Sequence, residues 1–330
     1  MKNRAVLALP LFVVFTAVAN LFPSHAQKVA DRAQPEAGNG APPLSNPLKV
    51  ALLKWYKGNT VPITFPVGSQ PYGIAFDGQN IWVASFGGTI TELRANDGAV
   101  LGSFSTGVEP YGVTFDGANI WVSNVASGNV TKLRASDGKN LGTFSIGPNP
   151  GWMAFDGGNV WVPYGNNLVA KVRAIDGKVV RNFTVGNAPI MSAFDGANVW
   201  VTNGGDGTVT KLRASDGKVL GTFNLGGAFA IAFDGTYMWV TSRDTARIFK
   251  VQLSDGTVVG TFTVPVDPYG IAFDGQNIWV AGAAAVTELR ASDGQIVDQF
   301  YYQGNASTGI AFDGANIWVS WLNADLVGKL

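Results

Sequence analysis

Gly270-Ile271-Ala272-Phe273-Asp274-Gly275, followed at once by Ile278-Trp279-Val280, is one copy of a pattern that the chain carries seven times. The turns are Phe76-Asp77-Gly78, Phe115-Asp116-Gly117, Phe155-Asp156-Gly157, Phe194-Asp195-Gly196, Phe233-Asp234-Gly235, Phe273-Asp274-Gly275 and Phe312-Asp313-Gly314, spaced 39 or 40 residues apart. Each is followed by a tryptophan: Trp82, Trp121, Trp161, Trp200, Trp239, Trp279 or Trp318. A unit of this length, made of several short strands, cannot bury its apolar faces alone. Copies must therefore stack, and the period predicts a closed ring.

The second copy shows four strand-like runs: Gly112 to Phe115, Asn119 to Ser123, Val130 to Arg134 and Leu141 to Ser145. A second set of Asp-Gly pairs, at Asp97-Gly98, Asp137-Gly138, Asp176-Gly177, Asp216-Gly217, Asp255-Gly256 and Asp293-Gly294, joins the third run to the fourth. Asp-Gly favours hairpin turns because both residues tolerate positive φ. Each unit thus reads as an antiparallel four-stranded meander, and the fold class is all-β: a seven-bladed β-propeller. The residue before each Phe is Ala or Thr, small as a tapering inner strand requires. The last copy stops at Leu330 within its third strand, while Val61 to Val67 matches a fourth strand, Thr64-Phe65 corresponding to Thr143-Phe144. The N-terminal strand is therefore expected to close the last blade and remove a free edge. In an alternative, Val50 to Lys54 supplies that blade's third strand as well. The tryptophan column reads as packing between blades rather than as a redox or stacking array.

Together with Val199-Trp200-Val201-Thr202-Asn203, these motifs resemble the bacterial YVTN-type propeller repeats and are similar to the streptogramin (virginiamycin B) lyase-like superfamily. The resemblance covers roughly residues 59 to 330 and implies a fold more specifically than an activity. It also implies, for the lyases, channel-mouth histidines and magnesium. Here the only histidine is His25.

His25 falls in an N-terminal leader: Lys2 and Arg4, an apolar run from Ala5 to about Phe22, and Ser24-His25-Ala26 before a cleavage point at Gln27. Residues 1–26 are expected as a signal peptide, 27–58 as a linker and possible docking segment, and 59–330 as the propeller. Export to the periplasm or the extracellular space follows, with no integral membrane span after cleavage. Cysteine is absent, which removes disulfides, thiolate nucleophiles and thiolate metal sites. Lys plus Arg equals Asp plus Glu at 23 each, so no overall field recommends nucleic acid or an anionic membrane. The basic residues Lys132, Arg134, Lys139, Lys171, Arg173, Lys178, Lys211, Arg213 and Lys218 read as charge pairs or snorkelling stems on the rim.

Strand parity puts all Asp-Gly turns on one face and the variable loops on the other, where function is usually grafted. Turn positions account for 13 of the 23 acids, which leaves few for chemistry. Glu92 and Glu288, standing where Lys132 and Lys211 occur, read as solvated or inter-blade pairs. On the variable face fall Glu109, Asp206, Asp244 and Asp267, with Arg243 as the clearest opposing charge. Aromatics gather there too: Tyr72, Tyr111, Tyr269 and Phe229 at corresponding positions, and Trp152, Tyr164 and Trp321 in other loops. These twelve residues predict an acidic, aromatic-rich mouth suited to sugar rings or cations.

The sequence supports a monomeric exported scaffold that recognises a small molecule, glycan or protein at this mouth. The alternative is a carboxylate- or divalent-metal-dependent lyase or hydrolase in the central funnel, using acids such as Glu109 and Asp267. No cofactor is identified, and no calcium-loop spacing supports a divalent cation. Without a mature histidine there is no Ser-His-acid triad, and no catalytic residue is assigned.

Overall fold

A computed structural model describes residues 62–330 other than 266 and 303–305. The leader, the linker and Val50–Lys54 lie outside the described residues. Seven four-stranded antiparallel sheets form the blades. Blade 1 spans Pro71–Ser105, blade 2 Pro110–Ser145, blade 3 Ala154–Thr184, blade 4 Pro189–Asn224, blade 5 Ile231–Thr263 and blade 6 Pro268–Phe300. Blade 7 takes three strands from Ser307–Lys329 and its fourth from Ile63–Pro66. Ile63 pairs with Lys329 and Pro66 with Leu326. Leu326–Lys329 thus fills the third place, which rules out the version that gave it to Val50–Lys54. Among the described residues no helix is long and apolar enough to cross a membrane.

Burial follows from the meander. Second and third strands are almost wholly buried, whereas fourth strands alternate exposed and half-buried positions, as an outer edge with one packed face should. The core is divided into seven clusters, each built where the tryptophan of one blade meets the apolar strands of the next. Trp121 packs on Val160, Val162, Ala170 and Val172, and Trp200 on Met238, Val240, Phe249 and Val251. Trp318 packs on Ile74, Ile81, Val83 and Leu93 of blade 1, which completes the ring. The tryptophans are 0 % exposed except Trp279 at 7 %, so packing accounts for the column. Burial of ~150–250 Å² per ring at ~25 cal/mol per Å² contributes up to about 4–6 kcal/mol against an extended chain.

The turns depart from the sequence expectation. Neither kind is a two-residue hairpin with both residues at positive φ; only the glycine is there, as at Gly78 (φ 99) and Gly98 (φ 72). Its aspartate works through its side chain instead. Asp77 Oδ1 accepts the N–H groups of Gln79 and Asn80, and Oδ2 accepts the indole N–H of Trp82 at 2.7 Å. The same indole bond recurs at Asp116, Asp156, Asp195, Asp234, Asp274 and Asp313. In the second set, glycine admits a neighbour: a Cβ on Gly98 would stand 2.1 Å from the ring of Phe65, and one on Gly138 2.0 Å from Phe104. Each such Phe also lies against its own blade's tryptophan, Phe104 at 5.6 Å from Trp82 and Phe65 at 5.5 Å from Trp318.

Lysines form a second set of inter-blade ties. Lys132 Nζ donates to the Ala174 carbonyl at 2.6 Å, Lys171 to Ala214 at 2.6 Å and Lys211 to Leu253 at 2.5 Å. Each ammonium also lies about 5 Å from its blade's tryptophan, at 5.2, 5.1 and 5.0 Å. Arg134, Arg173 and Arg213 pair with Asp137, Asp176 and Asp216 in their own turns. Glu92 and Glu288 differ from expectation. Rather than being solvated, both are buried, and each accepts the side-chain amide of an asparagine in its own blade, Asn80 and Asn277.

Candidate functional site

First strands line the axis, and at their variable-face ends lies the residue pair that shapes the mouth. Blades 1, 2 and 6 place Tyr-Gly there, at Tyr72-Gly73, Tyr111-Gly112 and Tyr269-Gly270. The glycine allows adjacent inner strands to touch: a Cβ on Gly73 would stand 2.1 Å from the Tyr111 carbonyl oxygen, and one on Gly309 2.0 Å from that of Tyr72. Taper is therefore met mainly by these glycines, three positions before the Phe, with the small Ala residues assisting. Blade 3 reverses the order to Gly151-Trp152. Trp152 N–H then donates to the Ile190 carbonyl, and Ser192 N–H to the Trp152 carbonyl, tying two inner strands directly.

The rings form a continuous arc. Phe86 lies 4.6 Å from Tyr72, Tyr72 5.1 Å from Tyr111, and Tyr111 4.0 Å from Trp152. Trp152 meets Phe229 edge-on at 6.1 Å, and Phe229 meets Tyr269 edge-on at 5.7 Å. All these rings are half-buried. At one end, the Arg243 guanidinium lies 4.9 Å from the Phe229 ring and 4.3 Å from the Tyr269 ring, and donates to the Tyr269 hydroxyl at 3.1 Å. Beneath the arc is a cavity of ≈ 70 Å³ whose lining includes Ile74, Val113, Met153, Met191, Ile271 and Ile310. Drug-sized ligands occupy about 300–1,000 Å³, so this cavity is too small to enclose one.

Burial pushes the Tyr72 phenol above its ordinary value, reinforced by Tyr269 and Glu109 and opposed by Arg243. Burial does the same, more strongly, at Tyr111, with Tyr72 adding to it and Arg243 opposing it. Both stay neutral at neutral pH and offer a hydroxyl and a ring rather than a charge.

Seven of the twelve residues singled out from sequence are brought to this mouth: Tyr72, Glu109, Tyr111, Trp152, Phe229, Arg243 and Tyr269. Asp244 and Asp267 are exposed on the loops around it. Asp206 serves the scaffold, accepting the Asn187 N–H and the Thr208 hydroxyl and so holding the linker into blade 4. Tyr164 is 6 % exposed within the core between blades 2 and 3, its ring over Gly147. Trp321, 2 % exposed, stacks on Tyr302 at 4.3 Å. Neither ring faces the axis. The backbone of Glu109 sits at φ 57, a conformation repeated at Gln70, Asn149 and Ala188, so it belongs to the linker geometry rather than to a reacting group. Among the described residues no group of three or more His, Cys, Asp or Glu is arranged to hold a metal.

No protein-family model matches the chain, and no curated protein matches it. Solved structures do. The chain is similar to virginiamycin B lyase from Staphylococcus aureus, with TM-score 0.69 and 20% identity over 81% of this chain and 97% of that one. A catalytically inactive variant of that lyase with quinupristin gives TM-score 0.70 and 21% identity over 81% and 97%. Kuenenia stuttgartiensis hydrazine synthase gives 0.68 and 17% over 83% and 98%. The likeness is one of fold. At these identities it agrees with the architecture read from the repeats and carries no activity with it.

Proposed function

We propose that the chain is an exported, YVTN-type propeller that serves as a binding module, holding a ligand against the aromatic arc on its variable face. The observation that carries this reading is the arc itself. Half-buried rings from blades 1, 2, 3, 5 and 6 converge over a cavity too small to enclose a drug-sized ligand, and their exposed parts form one surface. Stacking on such a surface suits flat or apolar ligand bodies and needs no catalytic group. Glu109 and Asp267, the acids most available for a lyase or hydrolase, enter blades 2 and 6, with blades 7 and 1 between them. That separation favours recognition over paired-carboxylate chemistry.

The test is a ligand screen on the purified chain, with and without magnesium and calcium, repeated on a Tyr111→Ala/Trp152→Ala double variant. Confirmed binders should lose affinity in the double variant while the melting transition remains cooperative. Unchanged affinity would move the site elsewhere. Turnover of a bound compound that stops on Glu109→Gln or Asp267→Asn would replace the scaffold reading with the enzymatic one.

A further inference from the structure

Beside the half-buried Glu109, the mouth that its sequence marks as acidic also holds a cation among its rings. Asp244 and Asp267 are exposed, and Asp206 is spent on a linker, whereas Arg243 is drawn in among the rings. The ion pairs of the described residues are Arg94–Asp97, Arg134–Asp137, Arg173–Asp176, Arg213–Asp216 and Arg290–Asp293, all on the opposite, turn-bearing face. Arg243 belongs to none of them. Among the described residues, its guanidinium makes one hydrogen bond, to the Tyr269 hydroxyl, and its Nε is buried with no partner. Withdrawing a guanidinium from water without a direct ion pair is costly, and two ring faces recover only part of that cost. A partly exposed cation held this way binds an incoming anion more strongly than a freely solvated lysine does.

We infer that Arg243 is the anion-recognising residue of the mouth, and that the ligand class is a carboxylate carried on a flat, apolar ring. The guanidinium fork matches a carboxylate in shape and charge. Phe229, Tyr269 and Trp152 supply the adjoining ring surface, which favours a flat body over a bare inorganic ion. The neutral phenols of Tyr72 and Tyr111 add hydroxyls without adding repulsion. This inference rests on the binding reading above and sharpens it.

The experiment uses indole-3-acetate and its neutral counterpart indole-3-acetamide as probes, titrated calorimetrically into the full chain, Arg243→Gln, Arg243→Lys and Trp152→Ala. The acetate should bind about tenfold or more tightly than the amide, the size expected of one charge-assisted hydrogen-bonded pair. Arg243→Gln should abolish that preference while the melting transition stays cooperative, and Arg243→Lys should keep part of it. Trp152→Ala should weaken both probes alike. Equal affinities for the two probes in the parent, or a preference that survives Arg243→Gln, overturns the anion assignment. In that outcome the mouth reading still stands if Trp152→Ala weakens both probes. Absence of binding by either probe overturns the assigned ligand class, and the broader screen then judges the mouth independently.

Discussion

Asp195 Oδ2 accepts the indole N–H of Trp200 at 2.8 Å, and the aspartate's other oxygen closes the turn on the N–H groups of Ala197 and Asn198. One carboxylate thus fixes both the hairpin and the ring that packs on the next blade. Burial raises its pKa, but the bonds from Trp200, Asn198 and the two backbone groups outweigh that and leave it below the ordinary carboxylate value. Asp195→Asn should therefore destabilise the propeller by about 1–3 kcal/mol at neutral pH. A depressed pKa gives stability that is present above the unfolded value of about 3.9 and lost as pH falls through the folded one. The penalty of the variant should accordingly shrink below about pH 4, which urea titrations at pH 7 and pH 3.5 measure directly.

Trp200→Ala tests whether the tryptophan column holds blades or holds ligand. The ring is fully buried against blade 5 and far in sequence from the arc residues. Removing it should cost about 3–5 kcal/mol through lost burial and the cavity left behind. Calorimetric melting should show the loss, while affinity for any mouth ligand stays unchanged at temperatures where the variant is folded. Lost affinity with unaltered melting would assign the column to binding.

Glu92 offers a stabilising substitution that the other blades already display. Burial and the nearby Asp77 push its carboxyl above the ordinary value, against the pull of the Asn80 amide. A raised carboxylate pKa means stability is greatest below the unfolded value and is lost as pH rises, so ionised Glu92 is unfavourable at neutral pH. In blade 2 the same position is Lys132, whose ammonium bonds a carbonyl of the next blade. Glu92→Lys should raise stability by roughly 1 kcal/mol, or about 2–4 °C in a domain of this size. The gain over the parent should be larger at pH 7 than at pH 4 in parallel thermal melts.

Regular spacing made the scaffold legible in the sequence, and departures from it made the site harder to read. Phe-Asp-Gly, the tryptophan and Thr64-Phe65 each recur at fixed offsets, so a reading of one blade transfers to all. The five-residue step from Asp to Trp is fixed as well, but spacing alone does not reveal its hydrogen bond, because a turn role already accounts for the aspartate. For loop residues, parity assigns a face but not a direction. Tyr164 and Trp321 lie on the expected side of their sheets and still turn into the core, because Gly147 and Gly328 leave room above them for a ring. Arg243 shows the converse: its placement depends on Phe229 and Tyr269, neighbours from two different blades that no local pattern pairs.

One aromatic pair reinforces the ladder at the seam. Phe65 reaches across from the N-terminal strand, 5.5 Å from Trp318, and fits beneath Gly98 of blade 1. Phe144 makes the same kind of contact with Trp121 at 5.8 Å, but inside a covalently continuous blade. Equal truncations should therefore cost similar energy, about 3–5 kcal/mol, and differ in what opens. In Phe144→Ala the neighbouring strands remain connected through their turn, so loosening stays local. In Phe65→Ala the four-residue closing strand keeps its ladder to Leu326–Lys329 and the bonds of Val67 and Gln70 to Asp325 but has no turn joining it to that partner strand, and detachment bares Leu326–Lys329 as a free edge. Hydrogen exchange at Val327 and Lys329 should accelerate in Phe65→Ala well beyond any change in Phe144→Ala, and sedimentation should show concentration-dependent association for the former alone. Matching exchange in the two variants would mean that the seam is no weaker than any other blade.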